Sequence, residues 1–320
     1  MEKYEPIDPM QFPRFEGIKT FMRLQHLRTT EGIDFAIVGV PWDGGAGFRT
    51  GQRSGPDAIR MASALLRPYN YELDVKLYDH CRGVDYGDLP VVPGYIEDTN
   101  ERIENELYPL VDAGVIPLLL GGDHSITLPE LRAIAKVHGP VALIHFDSHP
   151  DTNDEYNGRP YSNGTPFQRA VEENLLVLEH SIQVGMRGSV YNKNYYDHPR
   201  SLGFDLITME EVREIGLSKV IERIRDRVGN TKAFVTLDID VVDPAFAPGT
   251  GTPEVGGFTS GETISMIRGL KGLKLIGADV VEVLPAIDPS AITALLAANI
   301  VYQLISLIAL RKREKAENSL

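Results

Sequence analysis

Six short runs rich in Val, Ile and Leu alternate with longer amphipathic segments, and this alternation constrains the fold more than any other feature. The runs at 35–40, 116–120, 141–146, 182–185, 233–237 and 275–283 are apolar at successive positions, as strands buried on both faces must be. Between them, helical patterns cover 56–66, 100–113, 129–137, 166–173, 217–227, 260–270 and 289–309. Several begin with Pro (Pro56, Pro129, Pro166, Pro289), whose missing N–H costs nothing in a first helical turn. Strand–helix alternation of this kind predicts an α/β fold with a mostly parallel sheet covered on both faces. Gly- and Pro-rich pieces are short and fall at strand ends. Residues 1–320 therefore read as one domain, with an N-terminal extension over 1–33 and a charged tail over 311–320 expected to fray.

Charge narrows the partners. Thirty-two Lys and Arg against forty-five Asp and Glu leave a formal charge of −13. That argues against a nucleic-acid binder and fits poorly with an anionic membrane, but it would draw a small cation. Cys81 stands alone, so no internal disulfide framework exists. No apolar stretch follows a basic start at the N-terminus. The most apolar segment, 294–310, is broken by Asn299, Gln303 and Ser306 and is shorter than the roughly 20 residues that span a bilayer. A buried helix and a cytoplasmic location are the expectations.

In open α/β sheets ligands gather beyond the carboxyl ends of the strands. The run 141–146 leads into Asp147-Ser148-His149-Pro150-Asp151, where a period of two would project Asp147, His149 and Asp151 to one side. The run 233–237 leads into Asp238-Ile239-Asp240, and 116–120 into Gly121-Gly122-Asp123-His124-Ser125. Any one cluster has a plain alternative as a helix cap or turn. Together, His124, Asp147, His149, Asp151, Asp238 and Asp240 supply six ligands after three strands, enough for two metal ions sharing carboxylates. Oxygen-rich ligation with imidazole favours Mn²⁺, with Ni²⁺ or Co²⁺ as alternatives. Such a pair activates water as a nucleophile, which is hydrolase chemistry.

These clusters, in this order, resemble the signatures of the ureohydrolase (arginase/agmatinase) family. So do Gly39-Val40-Pro41 with Gly51…Gly55-Pro56…Ala58-Ile59-Arg60, the run Ile182–Gly188, and Asp279-Val280-Val281-Glu282-Val283. The similarity runs from about 34 to 310 and is closest to the agmatinase branch. It implies a three-layer α/β/α fold with about eight strands, assembled as a homo-oligomeric trimer or hexamer. It also implies two Mn²⁺ per chain, one held by His124, Asp147, Asp151 and Asp238, the other by His149, Asp147, Asp238 and Asp240. Glu282 matches the family glutamate that pairs with the substrate guanidinium, a planar cation suited to a fixed carboxylate. Asp151 would carry a proton to the leaving nitrogen. The implied reaction cleaves a guanidino compound to urea and an amine.

Asn163 departs from the pattern, because arginases and agmatinases carry His there and asparagine does not titrate. Formiminoglutamate hydrolases of the family also lack that His. Ser148 stands where Ala is usual, a change expected to matter little. The loop 153–163 is expected to line the pocket mouth, with Asn153 and Asn163 as substrate contacts and Tyr156 and Arg159 as further candidates. Agmatine or a guanidino acid such as 4-guanidinobutyrate is the leading substrate. Guanidinopropionate, formiminoglutamate or a biguanide is the alternative, and a non-catalytic partner subunit in a hetero-oligomer is the third reading. The glycines of 44–51 lack the Gly-Lys-Ser/Thr of a phosphate loop, so a backbone approach to substrate is the better reading.

Overall fold

The computed structural model describes residues 4–8 and 10–318. Eight strands form one sheet: β1 (Phe35–Gly39), β2 (Gly83–Asp88), β3 (Ile116–Leu120), β4 (Ala142–Phe146), β5 (Ile182–Met186), β6 (Asp205–Thr208), β7 (Lys232–Asp238) and β8 (Lys274–Val281). Their order is β2-β1-β3-β8-β7-β4-β5-β6, and every pair is parallel. A separate antiparallel pair joins Tyr69–Asn70 to Val75–Lys76.

Alternate residues of each strand feed two cores. In β1, Phe35 and Ile37 join the core that includes Leu120, Ile144, Leu237 and the helix Ile292–Glu317. Ala36 and Val38 join Leu119, Leu143 and Phe234 beneath the helices Ile96–Asp112 and Thr127–His138. Sheet and two helical covers make the three expected layers.

Two strands escaped the sequence pattern. β2 reads Gly-Val-Asp-Tyr-Gly-Asp and β6 reads Asp-Leu-Ile-Thr, each too polar to stand out. Both are edge strands, where one side lacks a partner and a continuous apolar run is not needed. Two boundary expectations are corrected. The last helix does not stop at 309: it runs Ile292–Glu317, so most of the tail expected to fray is regular helix, while 319–320 lie outside the described residues. The segment before β1 is no loose extension, because Phe21, Met22 and Leu24 are buried in the first core and the Phe21 N–H donates to Asp85. The same long helix is apolar enough to cross a membrane by composition, but 78 % of its most apolar window is buried inside the protein.

Register builds the site. Phe146 lies beside Leu237, Asp238 beside Val281, and Val280 beside Leu120. The carboxyl ends of β4, β7, β8 and β3 therefore finish level with one another, and the residues just beyond those ends must meet.

Candidate metal centre

The residues that meet beyond these four strand ends are the acids and histidines. The glycines after β3 are forced by crowding: a Cβ on Gly122 would lie 1.8 Å from the Trp42 carbonyl oxygen, so no other residue fits. This close approach delivers His124 to a short turn capped by Asp123, whose side chain accepts from the Ser125 N–H. His124 Nε2 is fixed by the Thr236 hydroxyl at 2.8 Å. Its Nδ1 then faces three carboxylates, 3.0 Å from Asp147 Oδ2, 3.0 Å from Asp151 Oδ2 and 3.4 Å from Asp238 Oδ2.

A second group adjoins the first through Asp147. His149 Nδ1 is 3.5 Å from Asp147 Oδ1 and 3.2 Å from Asp240 Oδ2. Backbone donors aim these carboxylates: the His149 N–H donates to Asp147 Oδ1 and the Asp240 N–H to Asp238 Oδ1. Asp151 holds its place with φ +48°, a left-handed backbone that non-glycine residues adopt only where the surroundings demand it.

Electrostatically the cluster asks for cations. Burial, with Asp240 and Asp147 close by, pushes the Asp238 carboxyl well above the usual range. Burial and Asp147 also push Asp151 upward. Burial would raise Asp147 too, but the neighbouring imidazoles of His124, His145 and His149 hold it well below. Among the described residues His124 Nδ1 has no hydrogen-bond partner despite full burial and three carboxylates around it. An orphaned imidazole nitrogen ringed by carboxylate oxygens fits a divalent metal ion, which would satisfy all four at once. The ligand atoms of Asp147, His149 and Asp240 also lie within 4.8 Å of one another, as do those of His124, His145 and Asp147.

His145 completes the support beneath Asp147. Its Nε2 lies 2.8 Å from Asp147 Oδ2, and Gln183 Nε2 lies 3.0 Å from its Nδ1. Both ring nitrogens are engaged, so it orients Asp147.

Glu282 follows β8 at φ +65° and is 1 % exposed. Its Oε1 accepts from the His124 N–H at 3.0 Å and from Asn163 Nδ2 at 3.2 Å, while Oε2 accepts from Gln52 Nε2 at 2.7 Å. Burial and then Asp123 push its carboxyl up to about 8, against the pull of these donors. Gln52 carried no signal in sequence beyond its place between Gly51 and Gly55, and Ser148 was undervalued. Ser148 Oγ donates to Asp240 Oδ1 at 2.7 Å, so the residue expected to matter little is an anchor for a candidate ligand.

A cavity of about 360 Å³ opens over the cluster, with His149, Asp151, Asn153 and Asn163 in its wall. Tyr156, Tyr191, Tyr195 and Phe48 line it too, whereas Trp42 is buried beneath the loop at Gly44. Arg159 is exposed and pairs with Tyr156 only through the backbone, outside that wall. Arg187 also reaches the cavity, its guanidinium donating to the Asp240, Val241 and Glu254 carbonyls.

The family model described as the arginase family matches residues 33–306, which contain every residue of this cluster. The chain belongs to the arginase family. It is 45 % identical over 306 residues to guanidinopropionase of Pseudomonas aeruginosa, covering 95 % of this chain and 96 % of that protein. Identity to guanidinobutyrase of the same organism is 41 % over 308 residues, covering 95 % and 97 %. Among solved structures, proclavaminate amidino hydrolase from Streptomyces clavuligerus superposes with a TM-score of 0.88 at 39 % identity, over 93 % of this chain and 99 % of that one. The eight-stranded parallel sheet between helical layers is thus the arginase fold, and its homologues are hydrolases of C–N bonds in guanidino compounds.

Proposed function

We propose that this arginase-family enzyme hydrolyses a short guanidino acid to urea and the corresponding amino acid. The observation that carries the reading is the joining of two elements. A six-residue Asp/His cluster lies beside Glu282, a buried carboxylate bound to the backbone of the His124 turn. Two divalent ions, for which manganese best matches the oxygen-rich donor set, would be held by His124, Asp147, Asp151 and Asp238 and by His149, Asp147, Asp238 and Asp240. When bound, such a pair supplies activated water at neutral pH.

The chain's own residues do the rest. Glu282 binds and orients the guanidinium, whose positive charge favours the ionised carboxylate. Asp151, in the cavity wall, takes a proton from the attacking water and passes it to the departing nitrogen, which would otherwise leave as an amide anion. His145 and Thr236 fix Asp147 and His124 so that neither ligand rotates. Asn153 offers a neutral polar contact, and Arg187 places a positive charge in the wall that suits a carboxylate at the substrate's far end. The names of the two Pseudomonas relatives point the same way.

On the same reading the protein works in the cytoplasm as a homo-oligomer, a trimer or hexamer by family resemblance, without nucleic acid or membrane as partner. The test is product analysis. Protein loaded with Mn²⁺, Ni²⁺ or Co²⁺ is offered guanidinopropionate, guanidinobutyrate, agmatine, arginine, formiminoglutamate and a biguanide, and products are identified by mass spectrometry. Urea with a short amino acid is expected. Urea with putrescine alone would replace the guanidino acid by agmatine, and no product from any of them would overturn the reading.

A further inference from the structure

We infer that Asn163 occupies, in the free enzyme, the place on Glu282 that one arm of the substrate guanidinium must take, so that the substrate binds by displacing it. The inference rests on the proposed function for the identity of the ligand and on a count of lone pairs for the rest.

A carboxylate offers about four acceptor sites, two on each oxygen. On Glu282, Oε1 has both sites filled, by the His124 N–H at 3.0 Å and by Asn163 Nδ2 at 3.2 Å. Oε2 has one filled, by Gln52 Nε2 at 2.7 Å. A guanidinium binds a carboxylate through two parallel N–H bonds, one to each oxygen. In this arrangement it finds a free site on Oε2 but none on Oε1.

Of the three donors only one can withdraw. The His124 donor is backbone at a turn whose side chain is held by Thr236. Gln52 is fully buried, and its Nε2 also donates to the Arg49 carbonyl at 3.0 Å. Asn163 is half-buried and lines the cavity, with its own N–H anchored to the Gly45 carbonyl at 2.9 Å. Its side chain can turn into the cavity while the loop stays fixed. The NH₂ of a carboxamide is also a fair copy of a guanidinium NH₂, planar and with the same donor direction. A titratable ring would not hold this place at neutral pH in the same way. Asn163 thereby keeps a buried carboxylate satisfied until a forked cation arrives, and it weakens every ligand that must replace it.

The test compares two cations on the Mn²⁺-loaded protein by calorimetry. Methylguanidinium needs both oxygens, whereas methylammonium can use the open Oε2 site alone. Asn163→Ala is expected to lower the Kd of methylguanidinium by about fivefold, the effect of releasing one ordinary hydrogen bond. The Kd of methylammonium is expected to stay where it was. Glu282→Gln should abolish the difference. An unchanged or higher Kd for methylguanidinium in Asn163→Ala would overturn the inference and make Asn163 a plain substrate contact. An equal gain for both cations would also overturn it, since added space would then be the cause. These outcomes are separate from turnover: the fork-dependent gain in Asn163→Ala, with a wild-type protein that hydrolyses no guanidine, would sink the proposed function alone.

Discussion

Ser148 ties the end of β4 to the end of β7 by donating its hydroxyl hydrogen to Asp240 Oδ1 across 2.7 Å. Its backbone N–H donates to the same oxygen at 3.1 Å, and its Oγ also lies 3.1 Å from His149 Nδ1. One small side chain therefore sets the direction of two members of the second ligand group. Partners of this kind are commonly worth 10- to 100-fold in metal affinity.

Ser148→Ala is accordingly expected to weaken binding of one of the two divalent ions by about tenfold, the low end of that range because the backbone bond survives. Metal titration followed by equilibrium dialysis reads this directly. Two sites with wild-type affinities would show that the hydroxyl does no positioning.

Removing metal should destabilise the fold, since Asp147, Asp151, Asp238 and Asp240 are all buried around one point. An ion present at 100 times its Kd contributes about 2.7 kcal/mol, so chelation should lower Tm by about 5 °C or more. Thermal unfolding with EDTA, then with Mn²⁺ restored, checks it. A Tm indifferent to both would mean that the cluster binds no ion.

Gly251 has no room for a side chain, because an added Cβ would sit 2.8 Å from Gln52 Nε2 and 3.3 Å from Glu282 Oε2. Gly251→Ala must push one of them aside and spoil the guanidinium seat. We expect KM to rise by about tenfold, equivalent to about 1.4 kcal/mol, with circular dichroism unchanged. Steady-state kinetics on whichever guanidine is turned over will tell, and an unaltered KM would place the substrate away from Glu282.

Cys81 gives a pH prediction far from the site. Burial, with Asp34 adding to it, pushes its thiol up to about 12. A group raised on folding contributes stability that is complete below its unfolded pKa of about 8.5 and is lost as pH climbs from there towards the folded value. Iodoacetamide at pH 9 should leave the native protein unmodified and label it rapidly in urea. Fast labelling of folded protein would contradict the buried thiol.

Much of the site was legible because its chemistry is local in the chain. Asp147, His149 and Asp151 stand within five residues directly after a doubly apolar run, and Asp238 and Asp240 repeat the arrangement. Polar residues there have no apolar explanation, so the pattern announces itself. Gln52 and Asn163 lack that advantage. They lie 230 and 119 residues from Glu282, and each is an uncharged amide in a polar loop. Nothing in the neighbours of Gln52 distinguishes it from loop residues that touch nothing, and Asn163 stood out only because the family resemblance expects His there.

By itself, the sequence determined the alternation of strands and helices, the central parallel strands, and the six candidate Asp and His ligands, because burial and ligand type are written residue by residue; Glu282 came from the family resemblance. Tertiary structure alone decided that four strand ends finish level, that His124 Nδ1 faces three carboxylates, that Ser148 holds Asp240 and that Asn163 sits on Glu282. Those are relations between segments far apart in the chain. Their distances depend on register and on which side chain wins a shared lone pair, and neither quantity is encoded at any single position.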